Sequence, residues 1–136
     1  MESKNMDATL NRPEGERVID APFVFVDLEK YTGQLKREDA WEKNDKNSIT
    51  VYKTRGIAIV LTCLHEDAII EENSIDGWLT VQVLDGVIDV TVKEKTLVLK
   101  KNQLITLHPE ISHTIHAKKE TTLLLINKTP NQGDRL

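Results

Sequence analysis

The sequence predicts a single all-β domain closed into a barrel, with a short helical segment before it. From residue 48 onward, short runs of Val, Ile, Leu and Thr alternate with turn residues at close, regular spacing, which is typical of a β-sandwich or barrel. No long helix interrupts this series, so a parallel α/β fold is not expected. The length of 136 residues fits one domain.

The polar ends of the chain set the expected domain boundaries. Residues 1–20 are polar and contain a proline and a glycine, which predicts a flexible N-terminal arm. Residues 129–136 have the same character and predict a flexible tail, so the barrel domain is expected to span 21–128. At its start the stretch 21–28, APFVFVDL, is apolar enough to predict an edge strand.

A short helical segment is predicted between this stretch and the barrel. Asp27 can cap a helix, and the apolar residues that follow it recur at helical spacing, which predicts a helix over 28–36. A second helical turn over 38–42 would bring Trp41 onto the barrel, where we expect it to act as a packing anchor.

Nine β-strands account for most of the remaining sequence. Asp76-Gly77 and Asp85-Gly86 are tight-turn signals because glycine tolerates a positive φ, and Asn102 is the next best residue for such a turn. Closing the strands into a barrel would remove exposed sheet edges. The predicted strand sequences are, in order, SITVYK, IAIVLTCL, AIIEE, LTVQVL, VIDVTVK, TLVLK, QLITL, HTIHA and TTLLLIN.

Composition excludes several classes of partner and site. The formal net charge of −4, with Lys and Arg spread among Asp and Glu, argues against nucleic acid or an anionic membrane as a partner. The longest wholly apolar run, residues 57–61, is too short to span a bilayer, and the N-terminus has no signal-peptide core. The single cysteine, Cys63, excludes an internal disulfide and is expected to pack as a small hydrophobe. We therefore expect a cytoplasmic protein.

The segment from Cys63 to Ala117 resembles the cupin superfamily. Its stretch VQVLDGVIDV is similar to the end of the first cupin motif, G-x5-H-x-H-x3,4-E-x6-G, and KKNQLITLHPEISHTIHA is similar to the second, G-x5-P-x-G-x2-H-x3-N. The resemblance implies a cupin-type jelly-roll barrel. In metal-binding cupins, the histidines and the glutamate of these motifs form a metal centre inside the barrel. The chain is also similar to short bacterial cupin-domain proteins with an N-terminal extension of this kind.

The aligned motif positions lack most of the residues that would hold a metal ion. Asn73 and Ile75 stand at the two histidine positions of the first motif, Leu79 stands at its glutamate, and His113 matches the ligand histidine of the second. A tightly held transition metal needs three or four ligands, and Ile and Leu supply none. The sequence therefore predicts no cofactor and no tightly bound metal; any metal would be held by His113. The remaining positions are four glycine positions at Asp67, Gly86, Asn102 and Glu110, the proline position at His108 and the asparagine position at Ala117.

His113 is the main candidate for a role in the barrel interior. It begins a strand whose inward series would continue at Ile115, whereas His116 has the opposite parity and is expected at the surface. His113 would either be buried, neutral and hydrogen-bonded to a neighbour such as Asn73 or Gln82, or take a direct part in binding or proton transfer. Counting along the strand from Leu79 favours the outer face for Gln82. The alternative is that Gln82 points into the barrel and that its amide is hydrogen-bonded there.

The two remaining histidines and one tryptophan lie near predicted turns. His65 and His108 are expected to be exposed rather than functional. Trp78 lies near the expected barrel mouth, where it would pack over the opening or contact a bound molecule.

Three functions remain open at this point. The first is a metal-free binding or sensing module that holds a small, partly apolar ligand with His113, Asn73 and Trp78 at the barrel interior and mouth. The second is a small cupin enzyme, either metal-dependent through non-standard ligands or metal-free with His113 as general base. The third is a structural or interaction protein. A homodimer is expected, because the stretch 21–28 is too apolar to be left bare.

Overall fold

The computed structural model describes residues 4–6, 17–72 and 76–130 of the chain. Two short strands and two helices come first, and nine strands follow, in agreement with the nine runs expected from the sequence. The first four elements are β1 (Lys4–Met6), β2 (Arg17–Asp20), α1 (Leu28–Arg37) and α2 (Asp39–Lys43). The nine strands are β3 (Lys46–Thr54), β4 (Ile57–Leu64), β5 (Ile69–Glu72), β6 (Trp78–Asp85), β7 (Val87–Val92), β8 (Lys95–Lys100), β9 (Leu104–Leu107), β10 (His113–Ala117) and β11 (Thr121–Lys128).

The nine strands form two antiparallel sheets that pack face to face. One sheet has the order β5-β10-β7-β8 and the other has the order β3-β4-β11-β6-β9. Alternate residues of each strand point inward, as the period of two requires, so β6 and β7 each bury every second side chain. The core between the sheets consists mainly of Leu64, Ala68, Leu79, Val81, Val83, Ile88, Val90, Leu99, Leu107, Ile115, Ala117 and Leu123.

Both helices pack on the outer face of the five-stranded sheet. The Asp27 carboxylate accepts a hydrogen bond from the backbone N–H of Lys30 at 3.2 Å, so it caps α1 as the sequence predicts. The apolar faces of the helices meet the outward residues of β3 and β4 in a second buried cluster. Its fully or nearly buried members are Leu35, Trp41, Ile49, Val51, Leu61 and Cys63.

Hydrogen bonds fix the helices on this outer face. The buried Asn47 amide donates to the Leu35 carbonyl at 3.0 Å and to the Glu38 carboxylate at 2.9 Å, so β3 holds the end of α1. Cys63 is fully buried beneath the helices, and this burial raises the pKa of its thiol. The cysteine is therefore a packing residue, as expected.

The N-terminal part differs from the prediction in two ways. Residues 17–20, placed in the expected arm, form β2, and the Arg17 guanidinium donates to the Thr50 carbonyl of β3 at 2.7 and 3.2 Å. The edge strand predicted over 21–28 is wrong, because residues 21–26 form no strand and Leu28 already belongs to α1. Pro22 lacks a backbone donor, and no strand of the described residues pairs with this stretch. Residues 1–3, 7–16 and 131–136 of the predicted arm and tail lie outside the described residues.

Gly86 and Gly77 are required at their turns for two different physical reasons. Gly86 has φ of +101° and Asn102 has φ of +69°, so both occupy the left-handed region expected for these turns. Gly77 has no positive φ. It is needed because a Cβ there would lie 2.5 Å from the Lys128 carbonyl oxygen, which no side chain could tolerate. Across the described ranges, neither helix is long and apolar enough to cross a membrane.

Candidate ligand-binding site

A cavity of about 280 Å³ lies between the two sheets. It is bordered by Lys46 and Ser48 on edge strand β3 and by Ile70 on edge strand β5. Because the Ser48 side chain is exposed, the cavity reaches solvent on this side. Its walls are mostly aliphatic, and a few polar groups point into it. The other lining residues are Val60, Thr62, Leu79, His113, Ile115, Leu125 and Asn127.

His113 faces the cavity and has only 4% of its surface exposed. It is the first residue of β10, which lies between β5 and β7, and Ile115 continues the inward series as predicted. Its Nδ1 lies 3.3 Å from the Ile111 carbonyl oxygen, while its Nε2 is buried and has no hydrogen-bond partner. A carbonyl oxygen only accepts, so this contact is a hydrogen bond when Nδ1 carries a hydrogen; in the neutral ring Nε2 then has a lone pair and no hydrogen.

Asn127 is a second polar residue of the cavity that has an unpartnered atom. It lies on β11 of the opposite sheet, directly between Ala58 of β4 and Leu79 of β6. Its Oδ1 is buried and has no hydrogen-bond partner. The sequence analysis missed this residue, although counting by twos from Leu123 and Leu125 would have placed it on the inward face.

The other polar lining groups have partners. The Ser48 and Thr62 hydroxyl oxygens lie 2.9 Å apart and form a hydrogen bond across β3 and β4. The Lys46 ammonium lies 3.2 Å from the Asp45 carboxylate. Within the part of the chain that the structure describes, the buried side-chain polar atoms of the lining residues that have no hydrogen-bond partner are therefore His113 Nε2 and Asn127 Oδ1.

The backbone supports the alignment with the two cupin motifs. All four positions aligned with motif glycines, Asp67, Gly86, Asn102 and Glu110, have φ between +66° and +101°. Only one of them is glycine, so the other three keep the left-handed turn without the residue that adopts it most easily. The alignment that puts Leu79 at the glutamate position and His113 at the histidine position therefore agrees with the geometry.

Replacing Glu110 with glycine should raise the free energy of unfolding by about 0.5–1 kcal/mol. Glycine removes the strain of the left-handed backbone in the folded state, and this gain exceeds the loss caused by the greater conformational entropy of the unfolded chain. Ser112→Gly in the same loop is the matched control, since Ser112 has no positive φ. We expect the control to lower stability instead. Urea denaturation measures both effects, and a Glu110→Gly protein less stable than wild type would contradict the strain argument.

The residues present do not fit the metal centre that the cupin resemblance implies. Leu79 is 7% exposed and lines the cavity with a hydrocarbon side chain where metal-binding cupins have a carboxylate. Asn73 and Ile75 lie outside the described residues, and an isoleucine side chain has no donor atom. Among residues 17–72 and 76–130, no three His, Cys, Asp or Glu side chains are grouped so that they could hold a metal ion.

The structure does not bring Trp78 into the cavity. Trp78 is half-buried, has the parity of the outward residues of β6, and has the Lys128 ammonium 5.1 Å from the centre of its ring. Gln82 has the same parity, which places it on the outer face, as counting from Leu79 favoured. It therefore cannot be the hydrogen-bond partner of His113.

The remaining three histidines lie outside the cavity. His65 was expected to be exposed, but it is half-buried and stacks on Trp41 at 3.4 Å between ring centres, with its Nε2 donating to the Trp41 carbonyl at 2.7 Å. His116 lies on the outer face of β10, with its Nε2 3.1 Å from the Asp67 carboxylate. His108 is exposed, as expected.

Comparison with known proteins shows likeness in structure but not in sequence. No protein-family model and no curated protein matches the chain. A conserved protein of unknown function from Streptococcus pyogenes has a similar structure, with a TM-score of 0.66 and 22% identity over 93% of this chain and 97% of that one.

Two solved cupins also have this fold. A cupin superfamily protein from Desulfitobacterium hafniense has a TM-score of 0.62 and 17% identity, and the match covers 64% of this chain and 80% of that one. An RmlC-like cupin from Shewanella frigidimarina has a TM-score of 0.59 and 12% identity, with 65% and 80% covered. These likenesses, the two-sheet topology and the left-handed turns at the motif positions show that the chain has the cupin-type jelly-roll fold.

Proposed function

We propose that this chain is a small-molecule-binding module whose ligand lies in the cavity between the sheets. The observation that carries the proposal is that His113 lines the cavity while its buried Nε2 atom has no hydrogen-bond partner. Leaving a buried polar group unsatisfied costs roughly 1–3 kcal/mol. A ligand that satisfies this group would recover that free energy on binding.

The ligand is expected to be small and partly apolar. Five aliphatic side chains form most of the cavity wall, so an apolar body would gain contact there without losing hydrogen bonds to water. An apolar cavity of about 150 Å³ is large enough for benzene. The cavity here, at about 280 Å³, accommodates a single substituted ring or a branched chain of similar size. The aliphatic lining residues are Val60, Ile70, Leu79, Ile115 and Leu125.

Binding is proposed to need no metal. The aligned glutamate position is occupied by Leu79, and His113 alone cannot hold a transition metal tightly. Elemental analysis of protein purified without chelators tests this point. Near-stoichiometric zinc, iron, manganese or nickel would overturn it.

Methyl NMR of the isotope-labelled full chain tests the cavity as a binding site, with phenol and toluene as probes. We expect saturable shifts at the methyl groups of Ile70, Leu79 and Ile115. The variant Val60→Phe, which fills the cavity, should abolish these shifts. Thr106→Phe adds the same ring on an exposed strand outside the cavity and should leave them unchanged. If neither probe shifts the cavity methyl groups at millimolar concentration, the proposal fails.

We also propose that the chain forms a homodimer through the apolar segment 22–26. The segment is not a strand, but Phe23 and Phe25 are each 87% exposed, which is costly for aromatic side chains in water. Light scattering should give twice the chain mass of 15.5 kDa for the wild type and a single chain mass for Phe23→Ser with Phe25→Ser. Leu104→Ser, at another exposed apolar position, should remain dimeric. A wild-type monomer would contradict the proposal.

A cytoplasmic location is proposed as well. It rests on Cys63, the single cysteine, which is buried and needs no oxidising compartment. Cell fractionation would test this, and recovery of the protein outside the cytoplasm would overturn it.

A further inference from the structure

The chemistry of the two unsatisfied atoms narrows the ligand of the proposed cavity site. Both atoms belong to residues that line the cavity, and they come from opposite sheets: His113 from β10 and Asn127 from β11. We infer, on the basis of that proposed function, that the ligand is an uncharged molecule with a hydroxyl donor on an apolar body, such as a phenol or an alcohol.

The hydrogen-bonding state of the His113 ring follows from its contact with Ile111. Its Nδ1 can interact with the Ile111 carbonyl at 3.3 Å only as a donor. In the neutral ring the other nitrogen, Nε2, then has a lone pair and no hydrogen. The cavity therefore offers an acceptor at this point, and a ligand must bring a donor to meet it.

Asn127 also offers an acceptor. Its Oδ1 is buried without a partner on the opposite wall of the same cavity. A carboxylate or phosphate has only acceptor atoms, so neither His113 Nε2 nor Asn127 Oδ1 could bond it, and only the amide nitrogen of Asn127 could donate to it. A hydroxyl group supplies the hydrogen that either atom lacks.

The charge of the lining residues favours an uncharged ligand. Lys46 is the cationic residue among the described lining residues, and its ammonium is already paired with Asp45 at 3.2 Å. The wall around the two acceptors is aliphatic, so an anion would lose its hydration without gaining a free counter-charge. An uncharged ligand avoids this cost.

The test compares four probes that differ in one group: phenol, anisole, toluene and benzoate. Anisole keeps the oxygen of phenol but has no hydrogen on it. The difference in affinity between phenol and anisole therefore reports the contribution of the hydroxyl donor. NMR titration of the wild-type chain should show phenol binding about tenfold more tightly than anisole, with benzoate weakest. Toluene reports whether the apolar cavity accepts a ring at all.

Variants assign the preference to particular atoms. His113→Phe removes the acceptor, so the ratio of the affinity for phenol to the affinity for anisole should fall to near one. Toluene should still bind. His113→Gln keeps an acceptor oxygen and should retain part of the ratio. Asn127→Leu should reduce it partly, and His116→Phe, on the outer face, should not change it. The methyl spectrum of each variant confirms that it is folded.

The outcomes separate this inference from the function on which it rests. Equal binding of phenol and anisole, or tighter binding of benzoate, would overturn the donor requirement but leave a cavity that binds apolar molecules. No binding of any probe would overturn the cavity proposal itself. A phenol preference that survives in His113→Phe with Asn127→Leu would show that other groups supply the acceptor, and would also overturn the inference.

Discussion

Leu79→Glu should lower the free energy of unfolding at pH 7 by roughly 2–4 kcal/mol, because it places a carboxylate against aliphatic side chains. Leu79 is 7% exposed and lines the cavity between the sheets. The substitution restores the residue type that metal-binding cupins have at this position, yet His113 alone cannot complete a metal site. Adding zinc should therefore not restore the stability.

The loss should depend on pH in a definite direction. Burial disfavours the charged form, so the introduced carboxyl should have a folded-state pKa above the value of about 4.3 that it has in the unfolded chain. The electrostatic penalty should be smallest near pH 4, where the group is mostly neutral in both states, and should grow as the pH rises toward the folded-state pKa. Stability curves from pH 4 to pH 7 measure this slope.

Gln82→Glu is the matched control for this experiment. It puts the same carboxylate on the same strand, β6, but on the outer face, and Gln82 is only half-buried. We expect its effect to stay within about 0.5 kcal/mol and to vary little with pH. If Leu79→Glu proved as mild as the control, Leu79 would face solvent and the cavity would not be as described.

Gly86→Val should lower the free energy of unfolding by roughly 3 kcal/mol or more. Gly86 has φ of +101°, a conformation that a β-branched residue adopts only with strain. An added Cβ would also collide with Thr121, whose hydroxyl bonds the backbone of Val87. Both effects act at the turn that joins the two sheets, between β6 and β7.

A second glycine provides the control. Gly33 lies inside α1, has no positive φ, and a Cβ there would meet only the mobile end of the Arg37 side chain at 3.1 Å. Gly33→Ala should raise the free energy of unfolding by about 0.5–1 kcal/mol. Thermal and urea unfolding measure both variants; equal effects of the two substitutions would contradict the geometric explanation.

The strand pattern was predictable because its cause is local. The side-chain period of two in VIDVTVK and HTIHA is visible in the sequence, and the structure places these runs at β7 and β10. Gly86 and Asn102 were recognisable as turn residues for the same reason, since Gly and Asn adopt a positive φ more easily than other residues. The inward direction of His113 followed from its parity with Ile115.

Other features depended on neighbours that the sequence does not specify. The stretch 21–26 is apolar, as an edge strand could be, but a strand needs a partner edge, and none pairs with it in the described part of the chain. His65 stands in a turn and was expected to be exposed. Its stacking on Trp41, 24 positions earlier in the chain, comes from the docking of α2.

By itself, the sequence determined the all-β class, the nine strands, the turn positions and the loss of ligand-type side chains at the aligned metal positions. These follow from residue chemistry and from short-range periodicity. Only the tertiary structure decided that His113 and Asn127 line one cavity and that each has a polar atom without a partner. The reason is physical: the two residues lie in different sheets, and the space between sheets depends on the packing of strands distant in sequence.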